Sequence, residues 1–435
     1  MSQRIFKTWL VVMLALALSP FAPLPKLHAS GVASTRLLPD LETRGAKPET
    51  PALPKNYINF IPPPVGETFK DSVYGTSITR LSDGLRQLND TVHHEYATMS
   101  PFNCDNSRIL LVTDKDGFMV VDLSGRIIVG TPEVNIGGRA EPRWSCHEPN
   151  IFYFHAENNL LTYDVNTQQK SIIRTFAQFK AITFGGGESD ISEDGDHLMI
   201  VGDESQAGVY TISTNQLGPT LKVKEREFDY FDLTPNNNVI VRWGQQGKER
   251  FKGFELFDHQ MKFRRQIVTF GAHADRARDL NGNEVLIVLA SNDPAPAKGC
   301  ENNGIEKVRL SDSRKTCLLP LNWNCEAHIS TNGRNPWVLI STTDNRTGTA
   351  NPPGKLLPDW KSKWMKTYNE LMLVKLDGSV VRHLAHHRSR ELDNYWHTPR
   401  AAINRDGTYA VFDSNFGIQP LPNYTDVFLV HLRRP

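Results

Sequence analysis

The chain has 435 residues, with 49 lysines and arginines against 48 aspartates and glutamates, so its formal net charge is +1 at pH 7. A balance this close to neutrality argues against a nucleic-acid binder, which usually carries a strongly basic domain or patch. The length exceeds that of a typical domain and leaves either several domains or one repeat architecture.

The N-terminus predicts export. Arg4 and Lys7 precede an apolar run that starts at Trp9, and small residues suited to cleavage follow up to Ala29. We therefore interpret residues 1–29 as a secretory signal peptide and expect a periplasmic or secreted protein. No later stretch is apolar enough for a membrane span, so we expect none in the mature chain.

An exported protein can form disulfide bonds. Cys300 and Cys317 flank one predicted strand pair and are the first candidate bridge. The odd number of cysteines leaves at least one thiol unpaired. The sequence does not fix the connectivity of the whole set, which is Cys104, Cys146, Cys300, Cys317 and Cys325.

Residues 30–71 are rich in proline and lack periodicity, which predicts an extended arm on the surface. The segment that follows, from Ser72 to Leu81, alternates like a strand and precedes the first repeat. In closed propellers a leading strand of this kind often completes the last blade and so removes free sheet edges. We expect it to pair with the outer side of the blade that contains Val411.

A polar turn followed by a run of apolar and β-branched residues recurs seven times after that segment. The copies begin at Ser100, Ser145, Ser192, Thr234, Asp279, Thr331 and Asn404. Most of these intervals match the length of a four-stranded propeller blade. The pattern predicts an all-β fold, a closed seven-bladed β-propeller of four-stranded antiparallel blades over residues 72–435.

The segments that lead into the predicted inner strands carry charged or imidazole groups in every repeat. Because all inner strands converge at the propeller axis, these groups predict a polar site there. Neutral imidazole binds divalent metals and also suits a general base. Equally, such residues often only line a channel or bind neighbouring blades. The selected residues are His94, Glu95, His273, Asp275, Arg276, Glu326, His328, His397 and Arg400.

Long loops between second and third strands should lie on the same face as these groups, and loops on one face of a rigid scaffold often carry function. Basic and aromatic residues cluster there, which favours an acidic oligosaccharide as ligand. The alternative is packing under a long loop for the tryptophans and a solvated rim for the cations. The residues concerned are Trp360, Lys361, Trp364 and Arg388.

Three stretches resemble the oligogalacturonate lyases and related WD40-like periplasmic propellers. They begin at Ser77 with Ser-Ile-Thr-Arg-Leu-Ser-Asp-Gly, at His397 with His-Thr-Pro-Arg, and at Val411 with Val-Phe-Asp-Ser. The resemblance implies a seven-bladed propeller with a divalent manganese held by three histidines and a glutamine. Of the lyases' Gln-x-x-His-x-His cluster, this chain matches only His397.

Two functions remain open at this point. A lyase acting by β-elimination on a uronate-containing glycan would hold a divalent metal with His273, His328 and His397. Arg276 or Arg400 would neutralise the uronate carboxylate and His94 would be the base. The alternative is a non-catalytic propeller that binds a protein or glycan partner. A bound metal favours the lyase, and a neutral or acid-filled funnel favours the binding protein.

Overall fold

The computed structural model describes residues 53–432, apart from residues 116, 224–226, 245–249, 332–334, 345–360, 362–363 and 391–394. The predicted signal peptide, most of the predicted arm and Trp360 lie outside the described residues. The described strands form seven antiparallel sheets, six of four strands and one of five. The predicted all-β, seven-bladed propeller is confirmed.

Each of the first four blades is a meander that runs from an inner to an outer strand. Blade 1 contains β3 (Val92–His93), β4 (Arg108–Thr113), β5 (Gly117–Asp122) and β6 (Ile127–Val129). Blade 2 contains β7 (Arg143–Trp144), β8 (Ile151–Ala156), β9 (Asn159–Asp164) and β10 (Gln169–Thr175). Blade 3 contains β11 (Ile182–Phe184), β12 (His197–Gly202), β13 (Gln206–Thr211) and β14 (Gln216–Lys222). Blade 4 contains β15 (Phe228–Leu233), β16 (Val239–Trp243), β17 (Gly253–Phe257) and β18 (Phe263–Val268).

The remaining blades follow the same order. Blade 5 contains β19 (Ala274–Arg278), β20 (Glu284–Leu289), β21 (Gly304–Arg309) and β22 (Lys315–Pro320). Blade 6 contains β23 (Cys325–Ser330), β24 (Trp337–Asp344), β25 (Glu370–Lys375) and β26 (Val381–His386). Blade 7 contains β27 (Ala402–Ile403), β28 (Tyr409–Ser414) and β29 (Asp426–His431), joined by β2 (Ser77–Arg80) and β1 (Thr68–Lys70). Short helices lie at α1 (Gly84–Gln87), α2 (Thr131–Val134) and a 3₁₀ turn (Tyr395–His397). None of the described helices has the length and hydropathy of a membrane span.

An N-terminal strand closes the ring, as predicted. Strand β2 pairs with β29, with Ile78 opposite Val430, and β29 pairs with β28, with Leu429 opposite Val411. Strand β1, from the end of the predicted arm, then adds a fifth strand outside β2, with Phe69 opposite Ile78. Since the two ends of the chain share one sheet, the ring cannot open without breaking this ladder.

Local sequence explains why the strands and turns form where they do. The second strands β4, β12 and β20 bury every residue after the first, as expected for apolar runs covered on both faces by neighbouring blades. The polar turns before them are fixed by aspartates that accept backbone N–H groups. Asp279 Oδ1, for example, accepts from the amides of Asn281 and Asn283 at 2.9 Å each.

One disulfide is present among the described residues, and it is the predicted one between Cys300 and Cys317. It links the loop before β21 to strand β22. Cys104, Cys146 and Cys325 are free thiols.

A buried cluster of charges holds the N-terminal segment against blade 6. His386 Nδ1 lies 3.4 Å from Asp71 Oδ2, and His386 Nε2 lies 3.5 Å from Glu370 Oε1. Tyr74 stacks on the His386 ring at 5.1 Å and donates a hydrogen bond to Glu370. Although burial alone would lower it, these two carboxylates raise the pKa of His386 to about 9. The imidazolium therefore binds the segment to the propeller at neutral pH.

We predict that His386→Asn destabilises the protein in a pH-dependent way. Because the folded pKa lies above the ordinary value of 6.5, the contribution is fully present below pH 6.5 and is lost as the pH rises through about 9. A shift of this size corresponds to about 3 kcal/mol of unfolding free energy. Denaturant titrations from neutral to alkaline pH should show that the difference in unfolding free energy between wild type and variant decreases, whereas the exposed substitution His259→Asn should produce no difference. A difference that does not depend on pH would contradict the role of the His386 charge.

Candidate active site at the propeller axis

A cavity opens at the axis on the face where the inner strands begin, which we call the loop face. Its volume is about 270 Å³, close to the lower limit of about 300 Å³ that is usual for ligand pockets. Blades 1, 2, 3 and 7 contribute the wall, and we call this space the axial cavity. Its lining residues are His93, Glu95, Tyr96, Met99, Val112, Phe118, Gly138, Gly187, Glu188, Trp396 and Arg400.

A segment of blade 1, residues 94–100, crosses the axis beneath this cavity. The Thr98 hydroxyl donates to the carbonyl of Glu188 in blade 3 at 3.0 Å, and Arg276 of blade 5 donates to the carbonyl of Thr98 at 3.3 Å. The Ser100 amide donates to Asp190 of blade 3 at 3.2 Å. Residues 97–100 are buried as a result. This axial segment fills the centre of the ring, so the cavity has a floor.

The predicted metal-binding histidines lie behind that segment. The rings of His273 and His328 stack with centroids 4.3 Å apart and planes 23° apart, and the edge of Tyr96 contacts both. His273 Nδ1 lies 2.9 Å from the Ala327 carbonyl oxygen. Burial lowers the pKa of both imidazoles, and that of His328 falls further because His273 is beside it. Both rings are therefore neutral at pH 7.

These residues do not fit the predicted three-histidine metal site. A histidine binds metal through a lone pair that lies in its ring plane, at about 2 Å from the ion. The ring planes of His273 and His328 are nearly parallel, with centroids 4.3 Å apart, so lone pairs that lie in those planes do not meet at an ion about 2 Å from both rings. His397 is fully buried, and among the described residues no three His, Cys, Asp or Glu side chains are grouped to hold a metal.

Arg276 and Asp275 belong to a buried ion cluster instead of the cavity wall. Arg276 Nε lies 2.9 Å from Asp232, and its Nη1 lies 2.8 Å from Asp275. Asp275 also accepts the amide of Thr331 in blade 6 at 2.7 Å. Burial, opposed by Arg276, raises the pKa of Asp232 to about 7. Arg276 and Asp275 therefore have a structural role in place of the predicted catalytic and binding roles. Their cluster joins blades 4, 5 and 6, and Arg276 binds the axial segment.

Arg400 is the predicted catalytic residue that lines the axial cavity, although its side chain is only 1% exposed. Its Nη2 lies 2.7 Å from Asp413, and its guanidinium lies 5.3 Å from the centre of the Trp396 ring. The same Asp413 accepts the backbone amide of His94 at 3.2 Å. The His94 side chain is fully buried and does not line the cavity, and burial lowers its pKa to about 4. As placed, His94 cannot reach a ligand.

Two glutamates line the cavity with strongly altered acidity. Glu95, a predicted binding residue, lies 2.9 Å from Arg143, yet burial raises its pKa to about 7. Glu188 was not selected from the sequence. Burial, reinforced by Asp229, also raises the pKa of Glu188 to about 7. Within the described part of the chain, the Glu188 carboxyl has no hydrogen bond or ion pair. It is therefore available to bind a ligand in the cavity.

Arg143 and three glycines shape the wall beside Glu188. Arg143 donates to the carbonyls of Ser189 at 2.6 Å and Gly187 at 3.2 Å, so it fixes the backbone on both sides of Glu188. The chain reaches that point through Gly185, Gly186 and Gly187, all with positive φ. A Cβ at Gly185 would lie only 2.2 Å from the Phe231 carbonyl oxygen, which explains why glycine is required there. The Gly-Gly-Gly-Glu stretch was the available sequence signal for Glu188.

The other predicted binding residues lie away from the cavity lining. Trp364 is buried against Tyr57, with ring centroids 4.9 Å apart, and Arg388 is buried and donates to the Asn56 carbonyl at 2.8 Å. The N-terminal segment therefore covers both, contrary to the prediction of an exposed sugar-binding rim. Lys361 and Glu326 are exposed.

We predict that Arg276→Ala unfolds more easily because it leaves Asp232 and Asp275 buried without their cation. Loss of one partner from a buried ion pair typically costs about 3–5 kcal/mol. Chemical denaturation measures this loss, and Arg126→Ala is the matched control because the Arg126 side chain, which pairs with Asp122, is 76% exposed. Unchanged stability with lost activity would instead restore Arg276 as a catalytic residue.

Comparison with known proteins reveals similarity of fold. No protein-family model matches the sequence, and no curated protein matches it. The structure of oligogalacturonate lyase from Vibrio parahaemolyticus is similar with a TM-score of 0.56 at 13% sequence identity, over 85% of this chain and 96% of that chain. An oligogalacturonate lyase in complex with manganese gives a TM-score of 0.56 at 14% identity, over 86% of this chain and 97% of that chain. The propeller of the oligogalacturonate lyase type expected from the resemblance is confirmed, and at this identity the likeness concerns the fold alone.

Proposed function

We propose that this exported propeller binds a uronate-containing oligosaccharide in the axial cavity and cleaves it by β-elimination. The observation that carries the proposal is the Glu188 carboxyl, unpaired within the described chain, in a cavity that also presents Arg400 and Trp396. Unpaired titratable groups with shifted pKa values in a concave site are typical of catalytic acids and bases. The fold shared with oligogalacturonate lyases supports the same substrate class.

Arg400 would bind the uronate carboxylate. Its guanidinium is fixed between Asp413 and the Trp396 ring, so it loses little conformational freedom when a ligand arrives. A carboxylate beside a fixed cation in a partly desolvated cavity is stabilised more than it would be in water. Neutralising that carboxylate makes the neighbouring C5 proton of the sugar more acidic. Trp396, which is 39% exposed, offers a flat face for the sugar ring.

Glu188 would transfer the proton. The ionised carboxylate removes the proton from C5, the C5–H electron pair forms the C4–C5 double bond, and the C4–O4 bond breaks. The leaving O4 takes a proton from a water molecule, and Glu188 returns the C5 proton to the resulting hydroxide, so atoms and charge balance. A pKa of about 7 suits both halves of this cycle, because a general base works best when its pKa is near the working pH. No step uses a metal.

The runner-up is the non-catalytic propeller that binds a glycan or protein partner. The observation that favours it is that most charges near the axis are already paired inside the protein. Arg400 pairs with Asp413, Arg143 with Glu95, and Arg276 with its two aspartates. A binding protein needs no unpaired proton-transfer group, so the behaviour of Glu188 distinguishes the two functions.

We predict that galacturonate oligomers incubated with the protein give an unsaturated product detected by ultraviolet absorbance. Glu188→Gln should lower kcat at least about a hundredfold, the usual contribution of a general base, with little change in KM. Glu326→Gln, an exposed glutamate on the same face outside the cavity lining, is the control and should retain activity. Absence of product from every acidic glycan, with binding intact, would favour the non-catalytic protein.

The pH dependence gives a second prediction for the same carboxyl. Since only the ionised form of Glu188 can accept the C5 proton, kcat/KM should rise as the pH increases through about 7 and then level off. The initial rate of double-bond formation, followed on both sides of that pH, measures the effect. A rate that falls over this interval would contradict the assignment of Glu188 as the base.

A further inference from the structure

We infer that Trp323 is a second sugar-stacking site on the loop face, which binds the part of a longer oligosaccharide that extends out of the axial cavity. The inference rests on the proposed function and extends it to a residue outside the cavity. Trp323 lies in the turn between β22 and β23 and is 67% exposed, more than Phe251, Phe263 or Trp396. Its indole makes no ring contact within the described part of the chain.

The turn that carries Trp323 is rigid. The amide of Cys325 donates to the carbonyl of Asn322 at 2.9 Å, which closes the turn. The buried side chain of Asn303 donates to the carbonyls of both Asn322 and Cys325, at 3.1 and 2.8 Å. A third bond joins the Leu321 amide to the Asn303 carbonyl at 3.0 Å. The indole is therefore presented to solvent by a backbone that is held on both sides.

The disulfide strengthens this support. Cys300 lies in the loop that delivers Asn303, and Cys317 lies on β22, the strand that ends at the Trp323 turn. The link between Cys300 and Cys317 thus holds the residue that pins the turn against the strand that leads into it. Neither the disulfide nor the hydrogen bonds of the Asn303 amide require the Trp323 indole to be exposed to water. A fixed, exposed indole is the arrangement that a stacking platform needs, because little entropy is lost when a ligand binds.

The position suits an oligosaccharide that starts in the axial cavity. Trp323 precedes the inner strand of blade 6, and Trp396 in the cavity wall precedes the inner strand of blade 7. These blades are adjacent, since the amide of Ile403 donates to Ser330 Oγ at 3.1 Å. The floor made by the axial segment directs any further sugar residues outward, over this face.

The test compares a short and a long ligand by calorimetry. Digalacturonate and hexagalacturonate are titrated into the full-length mature protein carrying Glu188→Gln, so that the ligand stays intact. Adding Trp323→Ala should weaken hexagalacturonate binding about tenfold, equivalent to about 1.4 kcal/mol, and leave digalacturonate binding unchanged. Trp323→Phe should retain most of the affinity. Ile172→Ala, which removes an exposed side chain from the outer strand of blade 2, should change neither.

Unchanged hexagalacturonate affinity in Trp323→Ala would overturn the inference and leave the proposed function standing. Equal losses for both ligands would also overturn it, because they would indicate a general structural effect. If the parent protein binds neither ligand, the proposed function fails and this inference fails with it.

Discussion

The hydrogen bonds that hold the axial segment across the ring are the constraint on which the rest of the site depends. Thr98 of blade 1 is bound to Glu188 of blade 3 and to Arg276 of blade 5, and Tyr96 contacts His273 and His328. Through these contacts one short segment joins distant blades and converts a channel into a cavity with a floor. Tyr96 of the same segment packs against the stacked imidazoles, neither of which lines that cavity.

Near the propeller axis, buried carboxyls outnumber the cations that pair with them, which affects both the stability of the fold and the pKa values of the carboxyls. Arg276 alone faces Asp232 and Asp275, and Arg143 faces Glu95, while Glu188 has no cation bound to it among the described residues. Each carboxyl removed from water costs free energy unless it is paired or protonated, so its pKa rises. Burial of these carboxyls destabilises the folded protein at high pH. The same burial raises the pKa of Glu188 to about 7, where a carboxyl can both accept and release a proton near neutral pH. The tight packing of the axis therefore supplies the acidity that the proposed reaction needs.

The sequence predicted the architecture well because repetition and strand alternation are local signals. The seven polar turns, the closure of the Val411 blade by the strand around Ile78, and the Cys300–Cys317 bridge were all predicted from the sequence. The site was less accessible because membership of a cavity depends on the depth and direction of each side chain. His94 and Arg400 both lead into inner strands, yet only Arg400 reaches the cavity. Burial of Arg388 beneath Asn56 depends on contacts between residues far apart in the chain, which no local pattern reports.

Crystallography of the Glu188→Gln protein soaked with trigalacturonate tests most directly whether the axial cavity is the functional site. The account predicts one sugar ring against Trp396, its carboxylate within hydrogen-bonding distance of the Arg400 guanidinium, and C5 facing residue 188. Density for the sugar elsewhere on the propeller, or a ring in the cavity with its carboxylate turned away from Arg400, would contradict it.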